Sequence, residues 1–206
     1  ALTSQVMPLL GLVFFVILMA LLPWIVVRSL AFNARNSVYR NIRFNFTGMK
    51  GEAAKTYLLW PLLIIPTLGF IIPYVWYKQT KFLVNNSAYG TSAFEIQVTA
   101  RDFYRIFFMM LAVVLLGVIL MVGLQFVLPP MLLVVVGSVF SIAMYLFMFS
   151  FLGAALGNLF FNSTTLLQHS FASQLAVKSI AWLYFTNTLA IILTVGLFIP
   201  WAQVRM

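Results

Sequence analysis

Residues 73–94 read PYVWYKQTKFLVNNSAYGTSAF, and a related segment fifty positions earlier, residues 23–44, reads PWIVVRSLAFNARNSVYRNIRF. The two segments align without a gap. Both begin with proline and an aromatic residue, carry a basic residue at the sixth position, and contain Asn-Ser-x-Tyr followed by a phenylalanine five positions later. A third copy begins at Pro200-Trp201 and includes Arg205. The pattern predicts internal repeats, and we interpret the chain as a fragment of a longer repeat-containing protein.

Composition places the chain among integral membrane proteins. Hydrophobic residues make up 64% of the 206 residues, charged residues make up 7%, and the mean hydropathy is +1.07. These values lie far outside the range of soluble domains. We predict an all-α polytopic membrane protein in which residues 1–206 form a single membrane domain. Its apolar stretches lie at about 8–27, 56–77, 106–128, 131–152 and 179–199.

The charge of the chain is strongly basic, with 12 Lys and Arg against three Asp and Glu, a formal charge of +9. In membrane proteins such an excess usually marks cytoplasmic loops that face anionic lipid. The basic residues are divided among several loops, which disfavours nucleic acid as a partner. The expected partners are membrane lipids, above all anionic lipid at the cytoplasmic face, with another membrane protein as a further candidate. Six basic residues are predicted to face lipid: Arg28, Arg35, Arg40, Arg43, Lys78 and Lys81.

Two polar segments, residues 28–55 and 78–105, contain strand-like patterns. Apolar and polar residues alternate over residues 42–46, and again over residues 94–98. A period of two is typical of a half-buried strand. We therefore expect short strand–turn elements on the cytoplasmic face, with a third, degenerate element over residues 158–178.

The apolar stretch 56–77 raises the question of topology. It contains three prolines, each of which costs a straight helix about 3 kcal/mol or more. A span here would place the two basic segments on opposite sides of the membrane, against the positive-inside bias. A re-entrant stretch would keep both segments on the cytoplasmic side. We predict re-entrant stretches at 56–77 and at 179–199, which share the pattern Thr-x-Gly-x-x-x-Pro; five ordinary spans are the alternative.

Several motifs resemble a known family. They are the Thr-Leu-Gly-x-x-x-Pro sequence from Thr67, the Arg-Asn-x-x-Tyr-x-x-x-x-Phe-x-Phe-x-Gly sequence from Arg35 to Gly48, and the closing sequence Ile199-Pro200-Trp201-Ala202-Gln203-Val204-Arg205. In combination they are similar to the YjgN-like family, a bacterial inner-membrane family of unknown function. The resemblance covers nearly the whole chain. It implies a multi-pass protein of the bacterial inner membrane and supplies no activity, substrate or catalytic residue.

The sequence offers few groups for catalysis or metal binding. His169 is the sole histidine, and the acids are Glu52, Glu95 and Asp102, all outside the apolar stretches. A metal site needs several ligands close together, and a chain with no cysteine has neither thiolate ligands nor disulfides. We expect no enzyme activity, no catalytic residue, no metal and no cofactor.

Asparagine recurs at positions where the chain is expected to turn. Asn36, Asn86 and Asn162 each precede a serine, a combination that favours turn formation. Thr186 and Asn187 are the strongly polar pair inside the last apolar stretch, and we expect them to hydrogen-bond between helices.

Two functional hypotheses follow. The first is a channel-like or transporter-like protein for a small solute or lipid, with a site where the two bends meet at Thr67, Gly69, Thr194 and Gly196. Broken helices near the middle of a membrane expose backbone groups that protein or water must cover. The alternative is an accessory or scaffolding subunit of a membrane protein complex, whose basic segments bind anionic lipid or another protein.

Overall fold

The structure, a computed structural model, describes residues 2–205, with side chains for residues 10, 11 and 13–205. It is mostly helical, as predicted. The helices are α1 (Leu2–Asn36), α2 (Lys50–Ala54), a π-helical turn (Lys55–Leu59), α3 (Trp60–Leu62), α4 (Ile72–Asn85), α5 (Ala100–Leu124), α6 (Pro130–Ser163), α7 (Val177–Leu193) and α8 (Ile199–Arg205). The strands are β1 (Val38–Tyr39), β2 (Ile42–Phe46), β3 (Ser87–Tyr89), β4 (Ser92–Ile96), β5 (Thr164–Leu166) and β6 (His169–Ser170). Because these strands form a sheet, the all-α class is too narrow.

Within the described residues, three helices are long and apolar enough to cross a bilayer: Val13–Asn36 within α1, all of α5, and all of α6. Helix α7 is apolar but has 17 residues, fewer than the roughly 20 that a hydrocarbon core requires. Helix α1 extends beyond the predicted end at Val27 and includes the polar residues that follow, as far as Asn36. By length and composition, these helices are compatible with a membrane protein.

Two compact units make up the chain. The first comprises Ala1–Phe103 and Ser163–Phe171, and the second comprises Tyr104–Asn162 and Ala172–Met206. The chain passes from the first unit to the second within α5, and the end of α6 brings it back. The single membrane domain inferred from the sequence stays a prediction.

The first unit contains an antiparallel sheet, six-stranded in the described part of the chain, in which each strand pairs with the next one along the sequence. It consists of three hairpins that follow the C-terminal ends of α1, α4 and α6. Each hairpin turn has two residues, and the first of them has a positive φ: 48° at Arg40, 61° at Gly90 and 55° at Leu167. A positive φ at this position matches the twist of the flanking strands.

Pairing between hairpins joins segments that lie far apart in the sequence. Strand β2 pairs with β3, with Phe44 opposite Tyr89, and β4 pairs with β5, with Phe94 opposite Leu166. The strand predicted at 42–46 is confirmed, and the strand predicted at 94–98 is confirmed only as far as Ile96, where β4 ends. The continuous sheet was not predicted, since the sequence pattern indicated separate elements.

Aromatic rings form a row on one face of the sheet. The ring centroids of Phe44 and Phe94 are 6.3 Å apart, with the rings nearly parallel at 6°, although β3 lies between their strands. In a flat sheet, strands separated by a third lie about 9–10 Å apart. The sheet is therefore curled, with the rings on its concave face, and Phe171 continues the row 6.3 Å from Phe94.

The chain between the first two hairpins, residues 50–85, forms two helical arms joined by a bend. The first arm is α2, the π-helical turn and α3, and the second arm is α4. Ring centroids are 4.8 Å apart for Trp60 and Tyr74, and 5.8 Å apart for Tyr57 and Phe82. The arms therefore lie side by side and run in opposite directions. The predicted helix break in this stretch is confirmed.

The core of the first unit forms where the arms meet the sheet. Phe46 and Phe82 are buried, with ring centroids 5.7 Å apart, and Ala53 is fully buried beside them. Val27 and Leu30 of α1 pack against this cluster. Burial of each large apolar side chain contributes about 1.5–3 kcal/mol, so this cluster fixes the sheet on the ends of α1 and α4.

In the second unit, short polar and small residues bring helices together. Helices α5 and α6 approach at Gly117, where a Cβ would overlap the end of the Met144 side chain. Helix α8 folds back on α7: the Asn187 side-chain amide donates to the Ala202 carbonyl at 3.4 Å, and the Arg205 guanidinium donates to the Thr186 hydroxyl at 3.2 Å. The prediction that the polar pair in α7 bonds between helices is confirmed.

Candidate functional site

The first Thr-x-Gly sequence forms a tightly hydrogen-bonded bend. The Gly69 N–H donates to the Ile64 carbonyl at 2.9 Å, and the Leu68 N–H donates to the Ile65 carbonyl at 3.2 Å. These are the two bonds of a Schellman helix ending. Leu68 is the left-handed residue, with φ 50°, and Gly69 follows with φ 87°. The Thr67 hydroxyl donates to a carbonyl one turn earlier at 2.5 Å.

The second Thr-x-Gly sequence forms the same bend. The Gly196 N–H donates to the Ile191 carbonyl at 2.8 Å, and the Val195 N–H donates to the Ile192 carbonyl at 3.2 Å. The Thr194 hydroxyl donates to a carbonyl one turn earlier at 2.7 Å. Val195 has φ 51°, which costs an L-residue roughly 1–2 kcal/mol. The hydrogen bonds and the following glycine, at φ 91°, hold the valine in this conformation.

The bends present apolar side chains and keep their polar groups engaged. Leu68 is 88% exposed and Val195 is 93% exposed, whereas the threonine hydroxyls and glycine N–H groups are bonded within their own bends. Each predicted site threonine thus lies beside its predicted glycine. The first pair belongs to the first unit and the second pair to the second unit, and the meeting of the two bends stays a prediction.

The six basic residues predicted to face lipid occupy three elements. Arg28 and Arg35 are on α1, Arg40 and Arg43 are in the first hairpin, and Lys78 and Lys81 are on α4. Several lie over aromatic rings: the Arg28 guanidinium is 5.9 Å from the Trp24 ring centroid, and that of Arg40 is 5.4 Å from the Tyr39 ring centroid. Contact with lipid stays a prediction for all six.

A cleft of about 420 Å³ lies between the first arm and α4. We call it the lysine cleft, because Lys55, Lys78 and Lys81 line it together with Glu52 and Trp60. The sequence singled out the two lysines of α4 but not Lys55. Folding the sequence back on itself about Leu68 would have placed position 55 opposite position 81, so the bend was the signal that could have found it.

Two asparagines of α6 hold the chain segment that follows the sheet. The Asn158 side chain accepts from the Leu175 N–H at 2.7 Å and donates to its carbonyl at 3.0 Å. Four residues on, Asn162 accepts from the Ser173 N–H at 2.6 Å and donates to its carbonyl at 3.1 Å. The turn predicted at Asn162 is wrong, because α6 continues to Ser163. The degenerate strand–turn element predicted over residues 158–178 is present as β5 and β6, and residues 171–175 lie outside the strands.

The polar groups that could support catalysis are dispersed or have structural roles. His169 is exposed in β6, opposite Leu166. One Asp102 carboxylate oxygen accepts from both the N–H and the hydroxyl of Thr99, each at 2.8 Å, at the start of α5. Among the described residues, no group of three His, Asp or Glu side chains could hold a metal ion.

Comparison with known proteins identifies a family for the whole chain. No curated protein and no solved structure matches it. A family model described as a bacterial protein of unknown function, DUF898, matches residues 1–206. The chain therefore belongs to the DUF898 family, the YjgN-like family that its motifs resemble.

Proposed function

We propose that the chain is a non-catalytic accessory or scaffolding module of the bacterial inner membrane, held by several spans and by two re-entrant bends. Its basic segments bind the anionic cytoplasmic leaflet or another membrane protein. The observation that carries this proposal is the pairing of β2 with β3, which joins the two basic segments by backbone hydrogen bonds. A straight span between the segments would separate them by the thickness of a bilayer.

The paired arms support re-entry of residues 56–77. Nine residues, from Lys55 to Leu63, reach about 14 Å at 1.5 Å per residue, roughly half of a hydrocarbon core. Trp60 and Tyr74 form an aromatic contact partway along the two arms. Tryptophan and tyrosine concentrate at the headgroup level of a membrane, which is where this pair lies when the bend is inserted. The bend therefore reaches into the hydrocarbon and returns to the side from which it came.

The chemistry of the bends favours an anchor over a solute site. A solute site needs polar groups that are free to bind, and the hydroxyls of Thr67 and Thr194 donate to carbonyls of their own bends. The exposed side chains of Leu68 and Val195 gain free energy in hydrocarbon, at roughly 25 cal/mol per Å² of apolar surface. Each bend thus acts as an apolar anchor in the leaflet.

A channel or transporter for a small solute or lipid is the second candidate. The broken helices favour it, because backbone breaks at membrane depth are typical of transporter sites. It requires a water-accessible cavity at the bends. The lysine cleft and an apolar cleft of about 440 Å³ between α5 and α6 are lined by other residues.

Cysteine labelling tests the topology, because the natural chain has no cysteine. Lys50→Cys and Asn85→Cys lie in the two basic segments. Both are expected to react with a membrane-impermeant maleimide from the cytoplasmic side alone. Reaction of the two sites from opposite sides would overturn the re-entrant topology.

A second pair of variants separates the anchor from the transporter. Leu68→Cys and Val195→Cys, at the exposed tips of the bends, are expected to resist a charged thiol reagent and to react with a lipid-soluble one. Rapid modification of both by the charged reagent would contradict the anchor and favour a water-filled pathway.

A further inference from the structure

The lysine cleft has a net positive charge. Lys55, Lys78 and Lys81 contribute three positive charges and Glu52 contributes one negative charge, which leaves 3 − 1 = +2. Within the described residues, none of these lysines forms an ion pair with a carboxylate. A cleft with this balance attracts anions.

Two of the lysines are held beside the same aromatic ring. The Nζ atoms of Lys78 and Lys81 lie 5.6 Å and 5.8 Å from the Tyr77 ring centroid, within the range of cation–π attraction. Lys81 Nζ also donates to the Tyr77 hydroxyl at 3.5 Å. Like charges three residues apart on a helix repel each other, so an anion bound between them would remove a destabilising interaction.

The cleft lies on the polar side of an aromatic pair. Trp60 lines the cleft and contacts Tyr74, and tryptophan and tyrosine concentrate at the headgroup level of membranes. Beyond this pair, toward the bend, Leu62 is 54% exposed and Ile65 is 80% exposed. With residues 56–77 inserted as proposed above, the lysines face the phosphate layer of the bilayer.

We infer that the lysine cleft binds the phosphate headgroup of an anionic membrane lipid. Lys55, Lys78 and Lys81 bind the phosphate oxygens. Asn85, whose side-chain oxygen accepts from the Ile96 N–H at 3.3 Å, has an amide nitrogen as a further donor. A volume of about 420 Å³ accommodates a headgroup, while the acyl chains remain in the bilayer. This inference rests on the proposed re-entry of 56–77 and names the lipid site of that module.

The test compares two triple variants of the whole chain with equal loss of charge. The cleft variant is Lys55→Gln/Lys78→Gln/Lys81→Gln. The control variant changes Arg101, Arg105 and Lys178 to Gln, which are exposed, do not line the cleft and are not among the six residues predicted to face lipid. Each protein, purified in neutral detergent, is titrated with phosphatidylglycerol and followed by native mass spectrometry, with phosphatidylcholine and inorganic phosphate as separate arms.

The cleft variant is expected to bind phosphatidylglycerol about 100-fold more weakly, because each of its three substitutions removes a hydrogen bond to the phosphate that contributes about 1 kcal/mol, or about fivefold. The control variant is expected to bind phosphatidylglycerol at most about fivefold more weakly than the natural chain. Lys78→Arg, which keeps the positive charge, is expected to retain binding. An equal loss of affinity in both triple variants would show that diffuse electrostatic attraction, and not the cleft, holds the lipid. Equal affinity for phosphatidylcholine, or displacement of the lipid by millimolar inorganic phosphate, would overturn the lipid assignment.

The experiments distinguish a wrong assignment of the lipid site from a wrong membrane topology. If the cleft variant binds phosphatidylglycerol like the natural chain while Lys50→Cys and Asn85→Cys label from the cytoplasmic side, the cleft is refuted and the topology stands. An unchanged thermal unfolding midpoint shows that the cleft variant is folded.

Discussion

Gly48 and Gly51 lie three residues apart, and alanine is expected to have opposite effects at the two positions. A Cβ on Gly48 would lie 2.6 Å from the Phe46 ring and 2.8 Å from the Phe82 ring, whereas a Cβ on Gly51 meets nothing within 4 Å. Each ring is 6% exposed, so neither can move into solvent. Overpacking of this kind costs about 1–3 kcal/mol. At Gly51, inside α2, alanine is favoured over glycine by roughly 0.5–1 kcal/mol.

Thermal unfolding of the purified protein in detergent, followed by circular dichroism, measures both effects. At roughly 2–4 °C per kcal/mol, Gly48→Ala is expected to lower the midpoint by about 2–12 °C, and Gly51→Ala to raise it by about 1–4 °C. Adding Phe82→Leu to Gly48→Ala removes one of the two obstructing rings, so the double variant should lose less stability than the sum of the single variants. A Gly48→Ala protein as stable as the natural one, or strictly additive losses, would refute the packing described for this core.

Two further predictions concern the bend and the asparagine contacts. Gly69→Ala is expected to lower the free energy of unfolding by about 1–2 kcal/mol, because φ is 87° there while a Cβ would merely touch Ile72 at 3.4 Å; Gly123→Ala, which meets nothing within 4 Å in α5, is the control, and equal midpoints for the two variants would contradict the assignment. Asn158→Ala is expected to cost about 1–3 kcal/mol and to accelerate hydrogen exchange at the Leu175 amide, and unchanged exchange there would show that the asparagine does not hold this segment.

Much of the helical framework could be predicted from the sequence because apolar length is a strong signal. The three long apolar helices correspond to predicted stretches at 8–27, 106–128 and 131–152, although α1 and α6 run further. Their polar ends stay helical because residues 28–36 and 158–163 contain neither proline nor glycine. The break in 56–77 could also be predicted, since its three prolines and central glycine oppose a straight helix.

The sheet and the lysine cleft depend on contacts that no local pattern carries. Strands of two or three residues, such as β1 and β6, are too short for alternation to reveal. A left-handed conformation at Leu68 cannot be inferred from residue type, because leucine rarely adopts it. Lys55 joins the lysines of α4 only after the two arms fold together, and Asn162 binds Ser173 only after the chain returns from the third hairpin.

The pairing of β4 with β5 sets an order of events during synthesis. Ile96 pairs with Thr164, so β4 cannot be completed until α5 and α6 have been translated. At about 5–20 residues per second, the ribosome needs roughly 3–14 seconds to make the intervening chain. During that interval β4 has an open hydrogen-bonding edge, the kind of surface that recruits wrong partners. Docking of β5 then closes the edge, so the sheet is completed only after both intervening helices have been made.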